Sequence, residues 1–90
     1  MAVEVRIPTI LRTFTGGEKA IHGSGSTLLQ VIDDVEGRHP GLKDRLVESE
    51  ALRRFVNVYV NDEDVRFNGG LGAPTVDGDV VIVLPAVAGG

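Results

Sequence analysis

Five consecutive apolar residues, Val80-Val81-Ile82-Val83-Leu84, run into Pro85, and only five residues follow. A run that is apolar on both faces belongs in the middle of a sheet, as a central parallel strand does, with neighbours on either side. The polar turn Asp77-Gly78-Asp79 introduces it. Pro85 has no N–H to donate, so it weakens pairing there and lets the chain leave the sheet. The five residues beyond reach roughly 16 Å when extended. The expectation is a domain over residues 1–85 that holds out a flexible tail, residues 86–90, ending in a bare α-carboxylate.

The rest of the chain supplies the partners for that strand. Val3, Val5 and Ile7 alternate with Glu4 and Arg6, the pattern of a strand with one buried face. Pro8 stops it, and residues 8–17 read as a long hairpin connection ending in Gly16-Gly17. Glu18 to His22 reads as the return strand. Thr27 with Gln30 three residues on forms a capping-box pattern. Leu28, Val31, Ile32 and Val35 then make one apolar stripe, with Asp33, Asp34 and Glu36 off it. Pro40-Gly41 ends this helix. A short further turn follows over 42–47, with Leu42 and Leu46 inward.

Phe55 to Val60 is a second strong strand, with Val56, Val58 and Val60 on one face. Asn61 to Asp64 is a polar turn, and Val65-Arg66-Phe67 reads as a short partner strand. Residues 68–79 form a glycine-rich loop pinned by Leu71 and Val76. The order is strand, strand, helix, strand, strand, strand. A long helix-bearing connection permits a parallel pairing, and one helix on one face of a mixed sheet is an α+β layer solution. The most economical arrangement sets the first and last strands side by side in the middle of about five strands. This is the β-grasp, or ubiquitin-like, fold.

Charge and composition exclude several classes of function. Ninety residues make one domain, and a net charge of −4 without a basic run argues against nucleic acid and against an anionic membrane surface as partners. No apolar stretch approaches the ~18 residues of a membrane span, and the N-terminus has no signal-peptide pattern. A soluble, cytoplasmic protein is expected. There is no cysteine, so any sulfur handled here rides elsewhere than on a side-chain thiol.

Side-chain chemistry is thin. His22 and His39 have no second ligand at metal spacing, so no metal site is expected. Ser24 and Ser26 sit at a helix start, and Ser49 lacks a nucleophile-elbow context. Gly69-Gly70-Leu71-Gly72 matches no phosphate-binding fingerprint. Arg53-Arg54 reads as a solvated edge. With no convergent groups, the chain is not expected to be an enzyme.

The C-terminus is where the chemistry lies. Two terminal glycines arise by chance in roughly 0.5% of chains. A residue without Cβ threads a narrow channel and takes backbone angles that aim the carboxylate. A carboxylate becomes an acyl donor once adenylated. A sulfur nucleophile can then displace AMP to leave a thiocarboxylate, or an amine can displace it to form an amide.

Val60-Asn61, Asp77-Gly78-Asp79 and Leu84-Pro85-Ala86-Val87-Ala88-Gly89-Gly90 together resemble the ubiquitin-like sulfur-carrier proteins of the molybdopterin and thiamine pathways. More narrowly, Ile7 to Arg12, Thr15-Gly16-Gly17 and Arg54 to Phe67 are similar to the actinobacterial sulfur carriers of cysteine biosynthesis. Pro85-Ala86-Val87 departs from the Pro-Pro-Val common in molybdopterin-type carriers.

The resemblance implies sulfur attachment at Gly90, with Val87, Ala88 and Gly89 as the tail inserted into partner active sites. It implies three partners. An E1-like enzyme adenylates and sulfurates the tail, and a PLP-dependent cysteine synthase accepts the sulfur. A JAMM-type zinc peptidase then releases the product. ATP, PLP and zinc would belong to those enzymes, with no cofactor bound here. Tyr59, Val80 and Ile82 are expected on the sheet face beside the tail and are candidates for partner docking. The alternatives are a carrier for molybdopterin or thiamine synthesis, a protein modifier conjugated to lysines, and a plain binding module.

Overall fold

Alternating residues build the strands and the four-residue stripe builds the helix, in a computed structural model that describes residues 2–54 and 56–85. Strand β1 (Val3–Arg6) pairs antiparallel with β2 (Ala20–Gly23), Val3 opposite Gly23 and Arg6 opposite Ala20. The connection between them is a seven-residue 3₁₀ turn, Thr9–Thr15, rather than an open loop. Its exit at Gly16 has φ 65°, and the Gly17 N–H closes on Arg12 O at 2.8 Å. Glu18 N–H is spent on Thr15 O, so β2 begins at Ala20, two residues later than the alternation suggested.

Helix α1 (Leu28–Glu36) starts where Thr27 Oγ1 accepts the Gln30 N–H at 3.2 Å. The return half of the capping box is displaced by one residue: Gln30 Oε1 accepts from the Ser26 N–H at 2.8 Å. Leu28, Val31, Ile32 and Val35 are all buried. The helix closes at Glu36, before Pro40, and the short α2 (Leu42–Leu46) buries Leu42 and Leu46 as expected. At Gly23 a Cβ would lie 2.7 Å from the Val35 side chain, so β2 takes the helix directly onto its backbone.

A two-residue hairpin follows that the sequence pattern does not reveal, β3 (Val47–Glu48) with β4 (Ala51–Leu52). Ser49 and Glu50 turn it with φ 52° and 64°. Strand β5 (Val56–Val60) turns through Asn61 and Asp62, φ 49° and 72°, into β6 (Glu63–Asp64). The expected strand at Val65–Phe67 is instead a 3₁₀ turn, and the residues that pair with β5 are Glu63 and Asp64. Asp64 Oδ1 caps that turn by accepting the Arg66 N–H at 2.9 Å.

The last strand, β7 (Val80–Pro85), lies between β1 and β5, parallel to the first and antiparallel to the second. The sheet order is β2-β1-β7-β5-β6. This is the five-stranded mixed sheet with one main helix, the β-grasp arrangement expected. Val3, Val5, Val56, Val58, Val60, Val81 and Val83 face the helix stripe to form the core. In the long loop Leu71 packs against that core, but Val76 is 64% exposed. Its place is taken by Ala73 and Thr75, both buried. The Thr75 hydroxyl donates to Gly25 O at 2.9 Å.

Candidate functional site

β7 ends at Pro85, the last residue before the expected tail, and a polar network at the other end of the strand sets its register. The Asn61 side chain donates to Asp79 Oδ1 at 2.8 Å and accepts the Val80 N–H at 3.0 Å. Its backbone N–H donates to Val80 O at 2.9 Å. Asp79 Oδ2 accepts the Val76 N–H, and Asp79 O accepts the Glu4 N–H. Asn61 and Asp79, 18 residues apart in sequence, thus lock β7 to both neighbours at its first residue. A slip of one residue would turn every side chain of β7 to the other face.

From that lock the strand runs past its partner. Pairing with β1 ends at Arg6–Ile82, while pairing with β5 continues to Val56–Pro85. Among the described residues, Val83, Leu84 and Pro85 therefore have a strand partner in β5 alone. Val87, Ala88, Gly89 and Gly90, the expected tail and sulfur-attachment residues, lie outside the described residues, as does Phe55.

Tyr59, Val80 and Ile82 share the sheet face turned away from α1, each half-buried. Tyr59 and Ile82 are directly opposite one another across β5 and β7. On β1, Glu4 and Arg6 face Val80 and Ile82 and pair with each other at 2.7 Å. The three residues thus come together as one patch, as strand alternation predicted, with an exposed ion pair along one side. Leu84, next along β7 on the same face, is 44% exposed; sequence reasoning left it out, though period two would have added it.

Several other polar residues hold turns and helix ends. The Glu36 carboxylate accepts the N–H groups of Gly41 at 3.0 Å and Lys43 at 2.8 Å, and these two bonds hold its pKa below the usual glutamate value. Asp34 is lowered by the Arg38 guanidinium and then by the Ser24 N–H. Asp33 raises the Lys43 ammonium. Arg53 pairs with Glu48 at 2.9 Å, and Gly70–Gly72 is a 3₁₀ turn. Among the described residues no group of three or more His, Cys, Asp or Glu is placed to hold a metal ion, and no helix is long and apolar enough to cross a membrane.

Glu36 carries a pH prediction. A carboxyl whose folded pKa is depressed adds stability above its free value, and that stability is lost as pH falls through the folded pKa. Glu36→Gln is expected to lower the urea midpoint modestly at pH 7. The gap to the parent should narrow as pH falls below 4.5, the ordinary value. Urea titrations at a series of pH values read this directly. A gap independent of pH would mean that the charge is not what holds α2.

Residues 5–90 match the ThiS family. The chain is 56% identical to the sulfur carrier protein CysO of Mycobacterium tuberculosis, over 100% of both chains. It is 33% identical to small archaeal modifier protein 3 of Haloferax volcanii, also over 100% of both. It superposes with a TM-score of 0.95 and 66% identity on a chain in the crystal structure of the Amycolatopsis orientalis BexX/CysO complex. That match covers 99% of this chain and 100% of the other.

Proposed function

The chain belongs to the ThiS family, and we propose that it is a sulfur carrier whose working group is the α-carboxylate of Gly90. One observation carries this reading. A central strand, locked in register by Asn61 and Asp79, runs past its pairing with β1 and continues along β5 to Pro85, five residues before Gly90. The full-length identity to a protein named as a sulfur carrier supports it.

The cycle begins on an E1-like enzyme. The carboxylate oxygen attacks the α-phosphorus of ATP, pyrophosphate leaves, and an acyl-adenylate remains. A sulfur nucleophile adds to the acyl carbon and AMP leaves with the bonding electron pair, so the chain ends in a thiocarboxylate. The thiocarboxylate sulfur adds to the β-carbon of an unsaturated amino-acid acceptor on a PLP-dependent cysteine synthase, and a proton goes to the α-carbon. The acyl group then moves from sulfur to the freed α-amine, leaving cysteine joined to the carrier by an amide. A JAMM-type zinc peptidase hydrolyses that bond and restores the carboxylate. ATP, PLP and zinc all belong to these partners, and the dependence on ATP assigns the cycle to the cytoplasm. Val87, Ala88 and Gly89 thread the partner sites, and the Tyr59–Val80–Ile82 face meets the partner beside them.

Identity to a small archaeal modifier protein favours a second reading, in which an amine rather than sulfur displaces AMP. Intact mass separates the two after incubation with an E1-like enzyme, ATP and a sulfide source. One oxygen replaced by one sulfur is the expected result. High-mass lysine conjugates in its place would make the chain a modifier, and an unchanged mass with an enzyme active on a related carrier would remove both readings.

A further inference from the structure

We propose that a second surface, at the end of β7 beyond the Tyr59–Ile82 patch, docks a short acidic segment of a partner protein through an apolar side chain set among its carboxylates. A groove of about 590 Å³ opens where β7 ends. The buried Leu11, Val56 and Val83 and the more exposed Leu84 and Pro85 line it. Two of the large apolar side chains that stand out in water line it: Ile10, 67% exposed, and Leu84. Exposed apolar residues gathered in a concave site mark a contact surface more than scattered ones do.

The walls are built and held. The 3₁₀ turn that carries Ile10 is fixed by Arg12 Nε donating to Ile7 O at 3.1 Å and by the Thr15 hydroxyl donating to Glu18 O at 2.8 Å. Phe14 in that turn lies against Gly41, which has φ 97° and where a Cβ would come to 3.0 Å from the ring. Gly41 is in turn held by Glu36. The Arg45 guanidinium sits 5.3 Å from the centre of the Phe14 ring, a cation–π distance. Arg53 Nε donates to Asp44 O at 2.6 Å.

Charge chooses the occupant. Arg45, Arg53 and Arg54 line the groove against one carboxylate, Glu48, on a chain whose net charge is −4. An acidic segment is repelled by most of this surface and attracted here, which is how charge complementarity selects partner and register. A protein that grips the tail has this groove at hand, because both start from Pro85. The inference goes beyond the carrier cycle and does not require it.

The test uses the full chain, ¹⁵N-labelled, with no ATP or sulfide, so its outcome is independent of the tail's chemistry. The probes are two capped peptides, one with Leu-Phe between Asp and Glu residues and one with the same core between Lys residues. The acidic peptide is expected to shift the amides of Ile10, Phe14, Arg45 and Leu84 saturably, and more weakly as salt shortens the Debye length. Arg45→Glu together with Arg54→Glu should weaken it about tenfold or more and admit the Lys peptide instead. Ile10→Ser, at an exposed site, should weaken both without unfolding the chain. Equal binding of the two peptides to the parent, shifts at other sites, or no shifts at millimolar peptide would overturn the proposal. So would shifts at Ile10 and Phe14 that depend on protein concentration alone, since a second copy would then fill the groove.

Discussion

Deleting Gly90, or replacing it with Ala, is expected to abolish sulfur loading while moving the unfolding free energy by less than about 0.5 kcal/mol. The two halves have separate causes. Deletion draws the terminal carboxylate back by one residue, roughly 3.3–3.6 Å of extended chain. Acyl transfer tolerates far less, since a displacement of about 1 Å can cost on the order of a hundredfold in rate. Ala at the last position keeps the length but adds a Cβ beside the reacting carbon and narrows the backbone angles open to it. Stability should survive because, among the described residues, the buried apolar side chains run from Val3 to Val83, and a glycine at the terminus brings no side chain to such a core. Intact mass after activation reads the first half, and a urea titration reads the second. A variant that loads sulfur normally would remove the carboxylate from the mechanism. One that unfolds would make the tail part of the fold.

The features legible in the sequence were those with a period. Alternation marked β1 and β5, the spacing of Leu28, Val31, Ile32 and Val35 marked α1, and the unbroken run marked β7 as central. Those elements sufficed to set β1 beside β7, because a long connection carrying a helix allows that parallel neighbour and hairpins supply the rest. Short elements carried no period. β6 is two acidic residues paired to β5, whereas the more strand-like Val65-Arg66-Phe67 buries Val65 alone and leaves Phe67 91% exposed. Val76 looked like a pin by hydropathy, but Asp79 draws its N–H into a polar turn, and Thr75 goes inward with its hydroxyl satisfied.

The same division holds for the candidate site. The tail's role is read from sequence alone, because the chemistry proposed for it needs no tertiary contact; the placement of the open-face patch was legible because period two puts Tyr59, Val80 and Ile82 together. The pairing of Asn61 with Asp79 gives a physical reason for two motifs that sequence could only liken to a family. The groove beside Pro85 was not legible. It is assembled from the 3₁₀ turn, α2, the segment after β4 and the end of β7, whose proximity no local pattern encodes.

The largest structural effect is expected from a charge placed on the inner face of β7. Val81 is 1% exposed and sits opposite Val5 on one side and Val60 on the other. Val81→Asp would put a carboxylate among valines with no donor near it. The unpaired charge, together with lost packing, costs upwards of about 4 kcal/mol. A domain of this size has roughly 5–10 kcal/mol in all, so the variant should lose about half of its stability or more, with its urea midpoint falling in proportion. Ile82→Asp is the control. One residue along, the side chain lies on the open face, half-buried and opposite Arg6. A carboxylate there meets water and a guanidinium, so the variant should fold and lose about 1–2 kcal/mol of apolar contact. It should also lose partner docking if the Tyr59–Ile82 face is the one the activating enzyme meets. Circular dichroism and urea titration of the two variants side by side decide the matter. Equal destabilisation would mean that β7 does not present alternate residues to core and solvent, and the register set by Asn61 and Asp79 would be wrong.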